Sequence, residues 1–561
     1  MDSIITSSIP LAQQIITTCK AKKIKHIVIS PGSRNAPLTI SFSNDPYFKS
    51  YSIVDERCAA FFALGIAQQL NKPVALVCTS GSALLNYYPA IAEAFYSDIP
   101  LLILSADRPK ERIDIGDGQT IRQEGVFKNH ILHEANLESH MEYSKNLSFA
   151  NYNKLILAID TSVVHKGPVH INIPFYEPLY NTVEVKTTPP ELLKTNTSIV
   201  NTYHCDKKTE EIWNKARKKM VLVGVLPPNQ IDDSVLDQLL NDPSVLLFTE
   251  TTSNLHHKKA IPSIDQLIAE LSETEFNQLQ PDLLLTFGGL VVSKKIKAFL
   301  RKFSPLTHWH VDVKKAYDTY GCLTMHIKTT PQSFLTSLLK NKSIDKPSNY
   351  QNFWLDQYKQ RLKGHYNYLK NVPYSDLLVF DKIIKQLPTE SHLQLSNSST
   401  IRYTQLFQLP KGVEVFCNRG TSGIDGTTST AIGAAIINKK PPILITGDLS
   451  FFYDSNALWN NYIPEDFKII VINNDGGGIF RILPGNKNAN YFSTFLETTH
   501  ELKADKLAAM FEFDYVLNTG ENLEKVLDDF FKKKGKLILE IHTPRLVNDA
   551  VLLKYFSKIR E

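Results

Sequence analysis

The sequence predicts an α/β protein of three domains, each with a mostly parallel sheet flanked by helices. Three observations predict it. Strand and helix patterns alternate through the first third of the chain and again through the last third, which is the grammar of parallel βαβ units. Two polar stretches, near 187–215 and 340–370, interrupt that alternation. The segments "PVALVCTSGSALLNYYPAIAEAFYSDIPLLILSADRP" and "PPILITGDLSFFYDSNALWNNYIPEDFKIIVINNDGG" share one plan: apolar strand, small-residue turn, helix, apolar strand. That echo marks the first and last domains as structural relatives, with a coincidence of common βαβ units as the alternative.

The elements follow in order. "IKHIVISPGS" reads as a strand ending in Pro-Gly, and "SIVDERCAAFFALGIAQQL" as a short strand and a helix with one apolar face. The Pro-Thr-rich text from 187 to 215 reads as a linker. Strands are expected at "MVLVGVL", "SVLLFTE", "DLLLTFGGLVV" and "THWHVDV" in the middle region, and a polar helix at "NYQNFWLDQYKQRLKGHYNYL". The last third resumes with strands at "VEVFCN", "PPILITGD", "FKIIVINNDGG" and "KLILEIHT". The domains are placed at 1–186, 187–345 and 346–561.

Composition narrows the function. The 561 residues are 43% hydrophobic and 21% charged, ordinary for a globular chain. The net charge of +5 is carried by dispersed Lys and Arg, which disfavours nucleic acid as a partner. The six cysteines form no CxxC pair, so a reducing compartment is expected. The first residues lack a basic segment followed by an apolar one, and no apolar run reaches the length of a membrane span. A cytoplasmic protein without a membrane span is the expectation.

The chemistry is carried by strand ends, where open parallel sheets bind ligands. "ILITGDLSFF" stops at Gly447-Asp448, and "KIIVINN" stops at Asn473-Asn474, followed by Asp475-Gly476-Gly477-Gly478. Asp448 and Asn474 are 26 residues apart, one strand-helix-strand excursion, so both tips fall on one sheet edge. A carboxylate, an amide oxygen and a glycine-exposed carbonyl suit Mg²⁺ bridging a diphosphate. The alternative is a helix cap at Gly-Asp and a plain turn at Asn-Asn-Asp-Gly-Gly.

This pattern resembles the signature of thiamine-diphosphate enzymes, with "GDL" where "GDG" is usual. The chain further resembles the thiamine-diphosphate-dependent synthases of menaquinone biosynthesis through "SPGSRNAPLT", "DERCAAFFALGIA", "TSGSALLNYYPAIAEA", "SADRP", "GQTIRQ", "HINIPFYEPLY", "NRGTSGIDGTTSTAIGAA", "GDLSFFYDSNAL" and "NNDGGGIFRILP". These stretches cover both outer domains well and the middle third poorly. The resemblance implies a thiamine-diphosphate-binding fold with a pyrimidine-binding first domain and a diphosphate-binding last domain. It implies decarboxylation of 2-oxoglutarate and conjugate addition of the resulting carbanion to isochorismate, with thiamine diphosphate and Mg²⁺ or Mn²⁺. It also implies a homodimer or homotetramer, because the cofactor spans the first domain of one subunit and the last domain of its partner.

Residue by residue, the resemblance makes Asp448, Asn474 and Gly476 the metal ligands. Gly423, Ile424, Leu449, Ser450, Gly477, Ile479 and Ser398 join them in holding the cofactor. Glu56, set between a strand and the apolar "AAFFALG", matches the glutamate that activates the aminopyrimidine ring. Apolar surroundings would raise its pKa, and a plain helix-start glutamate is the alternative reading. Ser33, Arg34, Gln119 and Ile424 match the remaining catalytic positions, Ile424 as the wedge beneath the cofactor. Arg108, Lys294 (with Lys295 as the alternative), Ser398, Arg402 and Arg419 match a pocket for two dicarboxylates, for which Arg forks are well suited. Ile479, Phe480 and Leu483 match its apolar wall, and Arg481 between them is read as facing solvent.

Other signals are set aside. His256-His257 reads as a surface loop, no GxGxxG lies between strand and helix, no P-loop occurs, and nothing demands a flavin. The competing functions are an acetolactate-synthase-like or other 2-oxoacid decarboxylase, and an inactive thiamine-fold binding protein. Intact Glu56, Asp448 and Asn474 weigh against the second.

Overall fold

The computed structural model describes residues 3–139, 144–186, 193, 203–340 and 347–560. A short antiparallel ribbon pairs β1 (Ser3–Ser7) with β8 (Thr182–Lys186). Between them lie β2 (His26–Ile29), β3 (Lys49–Ser52), β4 (Val74–Cys78), β5 (Leu101–Asp107), β6 (His133–Asn136) and β7 (Val169–Pro174). The middle sheet holds β9 (Lys219–Val223), β10 (Val245–Phe248), β11 (Ala260–Ile261), β12 (Leu283–Phe287), β13 (Thr307–Val311) and β14 (Met325–Ile327). The last holds β15 (His392–Leu395), β16 (Glu414–Phe416), β17 (Pro442–Gly447), β18 (Lys468–Asn473), β19 (Asp514–Asn518) and β20 (Leu537–His542).

All three sheets are six-stranded and parallel. The first runs β3-β2-β4-β5-β7-β6 and the last β16-β15-β17-β18-β20-β19. Counted along each domain these are the same order, so the internal echo in the sequence is a repeat of topology. The expected strands form because their residues are buried on both faces, as parallel sheets covered by helices require.

The first and last domains share one core. A single apolar cluster runs from Leu76 and Phe61 through Ile432 to Phe451 and Val471. Helix Glu56–Leu70 crosses helix Thr427–Ala435 at that junction. A Cβ on Gly65 would lie 2.1 Å from the Thr430 carbonyl oxygen, and one on Gly433 would lie 2.0 Å from that of Phe62. Only glycine permits backbones this close.

The middle sheet runs β11-β10-β9-β12-β13-β14, the order of doubly wound dinucleotide-binding sheets. Ligands of such sheets sit at the switch between β9 and β12, against a helix N-terminus. Here that position is filled from within. Glu250 is buried and accepts the Val292 and Ser293 N–H groups, each at 2.7 Å, ahead of helix Lys294–Lys302. Burial pushes its carboxyl up to about 7.

The linker expectation fails at one end. Residues 187–192 and 194–202 lie outside the described residues, but Lys207–Lys215 is a helix. Asp206 caps it by accepting from Thr209 N, and buried Trp213 anchors it. Trp213 and the partly buried Ile212 are its apolar contacts with the core, which the polar text concealed. Helix Tyr350–Leu369 forms as expected and bridges two domains, with Trp354 and Tyr358 in the middle core and His365 bonded to Tyr555 Oη at 2.7 Å. Among the described residues no helix is long and apolar enough to cross a membrane.

His392 opens β15 with its ring buried, and burial, reinforced by Lys440, holds its pKa down to about 3. The unfolded chain takes that proton at pH ~6.5. As pH falls from there towards the folded value, the unfolded state binds more protons and this group's contribution to stability is lost. The stability advantage of wild type over His392→Gln should therefore shrink by up to about 1.4 kcal/mol per pH unit below pH ~6.5. Denaturant unfolding at several pH values checks this, and a pH-independent difference would contradict it.

Candidate active site

Two groups of predicted residues gather at the carboxyl ends of the outer sheets. In the last domain, Asp448 follows β17 and Asn474 follows β18, neighbouring parallel strands. Asp448 is 2% exposed, and its Oδ2 accepts from Asn474 N at 3.2 Å and Gly476 N at 2.9 Å. Its Oδ1 accepts from Leu449 N at 2.7 Å. The His500 ring stands 3.3 Å from Asp448 Oδ2. Asn474 donates through Nδ2 to Asp376 at 3.0 Å, while its Oδ1 is buried without a hydrogen-bond partner. Asp376 thus holds the amide by its nitrogen and leaves the oxygen bare. Burial raises Asp376 to about 6. An anchored carboxylate beside an orphaned amide oxygen fits a hard divalent cation.

The β15 tip supplies the opposite wall, across the switch between β15 and β17. Asn397 organises it. Its Nδ2 donates to the Asn418 and Gly423 carbonyls at 2.7 Å each, and its Oδ1 accepts from Arg419 Nη1 at 2.7 Å. Arg402 Nη1 donates to Ser398 O at 2.6 Å. Burial, then the neighbouring Arg419, lowers the Arg402 pKa, and the buried Arg419 Nε has no partner. Arg419 is buried and Arg402 half-buried, and neighbouring guanidinium groups so shielded suit anions. Ile424 is 37% exposed, and its carbonyl accepts from Ser450 Oγ at 2.7 Å. Ile479, Phe480 and Leu483 lie in and just after a short helix beyond the glycines.

Arg481 does not face solvent. It pairs with Glu497, which is fully buried and also accepts from Arg545 Nη1 at 2.7 Å. The Glu497 carbonyl accepts from Gly477 N at 2.6 Å. A long cation is used there to fasten the glycine loop to the 492–500 segment.

In the first domain, Arg34 follows β2 and Arg108 follows β5. Arg34 Nη1 donates to Phe175 O at 3.0 Å and Nη2 to Glu177 at 3.1 Å, while its buried Nε has no partner. Burial, then Arg108, lowers its pKa. Arg108 donates to Gly118 O through Nε and Nη2 at 3.1 and 2.7 Å. Ser33 and Gln119 are exposed, and the Gln119 carbonyl accepts from Ser80 Oγ at 2.9 Å. Glu56 opens its helix after the Asp55 cap, and burial, reinforced by Asp55, raises it above the usual carboxylate range. Among the described residues, no hydrogen bond or ion pair joins Glu56 to the Asp448 group within one chain.

Left-handed backbone at non-glycine residues falls on both groups: Gln119 (φ 54°), Ser398 (φ 69°), Ser422 (φ 62°) and Asp475 (φ 59°). Such residues store about 1–3 kcal/mol each; the same conformation also closes helices elsewhere, at Asn71 and Asp98. In the middle domain, Lys294 is exposed and Lys295 Nζ stands 4.8 Å from the Phe556 ring centroid. Lys297 is the lysine that feels Arg419 and Arg402, with burial as the main cause of its lowered pKa. Sequence reasoning missed Lys297, Asn397, Asp376 and Glu497. Only Asn397, beside Ser398, carried a local signal.

Two like sheets, one ending in an Asp-Asn pair that fits a divalent cation and the other in a half-buried glutamate, point to a diphosphate-cofactor enzyme of the α/β class. The comparisons agree. Residues 9–135 match "Thiamine pyrophosphate enzyme, N-terminal TPP binding domain", residues 194–395 match "Middle domain of thiamine pyrophosphate", and residues 398–541 match "Thiamine pyrophosphate enzyme, C-terminal TPP binding domain". The chain is similar to proteins named 2-succinyl-5-enolpyruvyl-6-hydroxy-3-cyclohexene-1-carboxylate synthase. That of Flavobacterium psychrophilum is 54% identical over 99% of this chain and 100% of its own. That of Christiangramia forsetii is 54% identical over 98% and 99%, and that of Flavobacterium johnsoniae 52% identical over 99% and 100%. The chain belongs to this family of thiamine-diphosphate-dependent synthases.

Asp448→Ala should weaken magnesium-dependent binding of thiamine diphosphate by about a hundredfold, as loss of a metal-ligating carboxylate does. Titration of the full-length protein with the cofactor, with and without Mg²⁺, reads this directly. Unchanged affinity would remove Asp448 from the cation site.

Proposed function

We propose that the chain decarboxylates 2-oxoglutarate and joins the resulting four-carbon unit to the ring double bond of isochorismate, in menaquinone biosynthesis. The observation that carries this reading is the pair of neighbouring guanidinium groups at the β15 tip, Arg419 buried and Arg402 half-buried. A pyruvate-using decarboxylase has one carboxylate to hold and does not need paired guanidinium groups beside its cofactor; two dicarboxylates do.

Bound thiamine diphosphate supplies the electron sink for loss of CO₂ and for carbon–carbon bond formation. Asp448, Asn474 and the Gly476 carbonyl would hold the cation, Mg²⁺ or Mn²⁺. Ser398, Gly423, Leu449, Ser450 and Gly477 approach the cofactor with hydroxyl and backbone groups. Ile424 and Ile479 present apolar surface to its rings, Ile424 as the wedge. Glu56, lent by a second copy of the chain, would hold a proton at its carboxyl beside the aminopyrimidine ring of the bound cofactor. Burial and the neighbouring Asp55 raise its pKa, the direction that favours the protonated carboxyl. Ser33, Arg34 and Gln119 come from the same copy as Glu56 and close the site over the substrates. Arg108, Lys294, Arg402 and Arg419 take the substrate carboxylates, while Phe480 and Leu483 exclude water.

The purified protein with thiamine diphosphate and Mg²⁺ should form product from 2-oxoglutarate plus isochorismate and leave pyruvate untouched. Turnover of pyruvate without this product would establish the competing decarboxylase reading. Glu56→Gln should lower kcat by at least about a hundredfold while metal-cofactor affinity stays near wild type. Unaltered turnover would take Glu56 out of the mechanism.

A further inference from the structure

The loop from Asn418 to Gly426 carries Arg419, Gly423 and Ile424, three residues assigned above to substrate and cofactor. A loop that must place a guanidinium and an apolar wedge accurately needs rigid support. Asn397 supplies it from within the last domain. The remaining support comes from the first domain of the same chain.

Helix Tyr88–Ser97 presents Glu93, a carboxylate 1% exposed. Its Oε1 accepts from Gly420 N at 2.7 Å and from Ser97 Oγ at 2.7 Å. Its Oε2 accepts from Thr421 N at 2.7 Å and Thr421 Oγ1 at 2.9 Å. Both oxygens are thus used on two consecutive backbone N–H groups, the arrangement that best fixes a turn. The contact is close enough to exclude a side chain at 420, since a Cβ there would lie 2.6 Å from the Glu93 carbonyl oxygen. At the far end of the loop, a Cβ on Gly426 would enter the Phe61 ring at 2.2 Å. Phe61 belongs to the helix that begins with Glu56. The first domain therefore grips both ends of the loop.

We propose that Glu93 is a positioning residue for the substrate pocket. It acts through Arg419 by fixing the Gly420–Thr421 backbone, and so couples the first domain to substrate recognition in the last domain of its own chain. A glutamine at 93 keeps the size but can accept at one oxygen only, setting its NH₂ against one of the two N–H groups. A merely structural role would lower stability without selecting one substrate. A role through Arg419 shows as a split between kinetic parameters and as non-additivity.

The proposal rests on the assignment of Arg419 to a substrate carboxylate, and the experiment separates the two. KM for 2-oxoglutarate, KM for isochorismate and kcat are measured on the full-length holoenzyme for Glu93→Gln, Arg419→Ala and the double variant. Arg419→Ala should raise one KM by at least about tenfold, and Glu93→Gln the same KM by about tenfold. The double variant should match Arg419→Ala alone. Thr421→Ala, which removes a single donor and leaves the backbone bonds, should raise that KM about threefold and carries the test if Glu93→Gln does not fold. An effect of Arg419→Ala without one of Glu93→Gln or Thr421→Ala overturns this proposal alone. So does strict additivity in the double variant. No effect of Arg419→Ala on either KM overturns the pocket assignment and this proposal with it.

Discussion

The structure turns on one buried carboxylate. Asp448 sits at the end of a central parallel strand, fixed by the backbone N–H groups of Asn474 and Gly476 from the strand beside it. An unpaired charge so far from water is costly. Here the cost is offset in part by those hydrogen bonds and by the His500 ring, and a cation bound there would offset more of it. The arrangement works because parallel neighbours deliver their loops to one edge, so two residues distant in sequence come to stand side by side without a special fold. The amide of Asn474 is oriented by Asp376, and the glycine loop is fastened by Glu497 between two arginines.

The first domain is built to face two ways. Helix Glu56–Leu70 buries its middle against the last domain of the same chain, at the glycine-lined crossing, while its first residue sits half-buried with a raised pKa and no partner in the Asp448 group. Each first domain would thus support one site through packing and activate another through Glu56. The middle domain has the strand order of a nucleotide-binding sheet, yet Glu250 fills its helix N-terminus. That carboxylate braces the strap leading to Lys297, so the end that binds nucleotides elsewhere becomes a wall beside Arg402 and Arg419.

Much of this was legible in the sequence because strand ends carry short, chemically distinctive text. Gly-Asp, Asn-Asn-Asp-Gly and Pro-Gly-Ser-Arg each announce a loop and its donors within a few residues. The repeat of topology was legible for a similar reason, since two βαβ units of equal plan leave equal hydrophobic patterns. The supporting residues were not legible, because their partners are remote. Asp376 lies 98 residues from Asn474, and Glu93 lies 327 residues from Gly420. A lone acidic residue on a helix gives no sign of what it will hold. Arg481 was misread because a charged residue in a glycine-rich loop ordinarily seeks water, and only tertiary structure brings Glu497 to it. The helix at Lys207–Lys215 was hidden by its polarity, since only Trp213 and the partly buried Ile212 hold it to the core through apolar surface.

The central claim is that each site combines the cation end of one chain with the glutamate of another. Mixing two inactive variants tests it most directly. Subunits carrying Glu56→Gln and subunits carrying Asp448→Ala are unfolded together, refolded and assayed with 2-oxoglutarate and isochorismate, beside each variant refolded alone. In a mixed dimer one site receives both substitutions and the other receives neither, so the account predicts that activity returns on mixing. If Glu56 and Asp448 served the same site within one chain, every site would stay damaged, and a mixture as inactive as its parts would contradict the account.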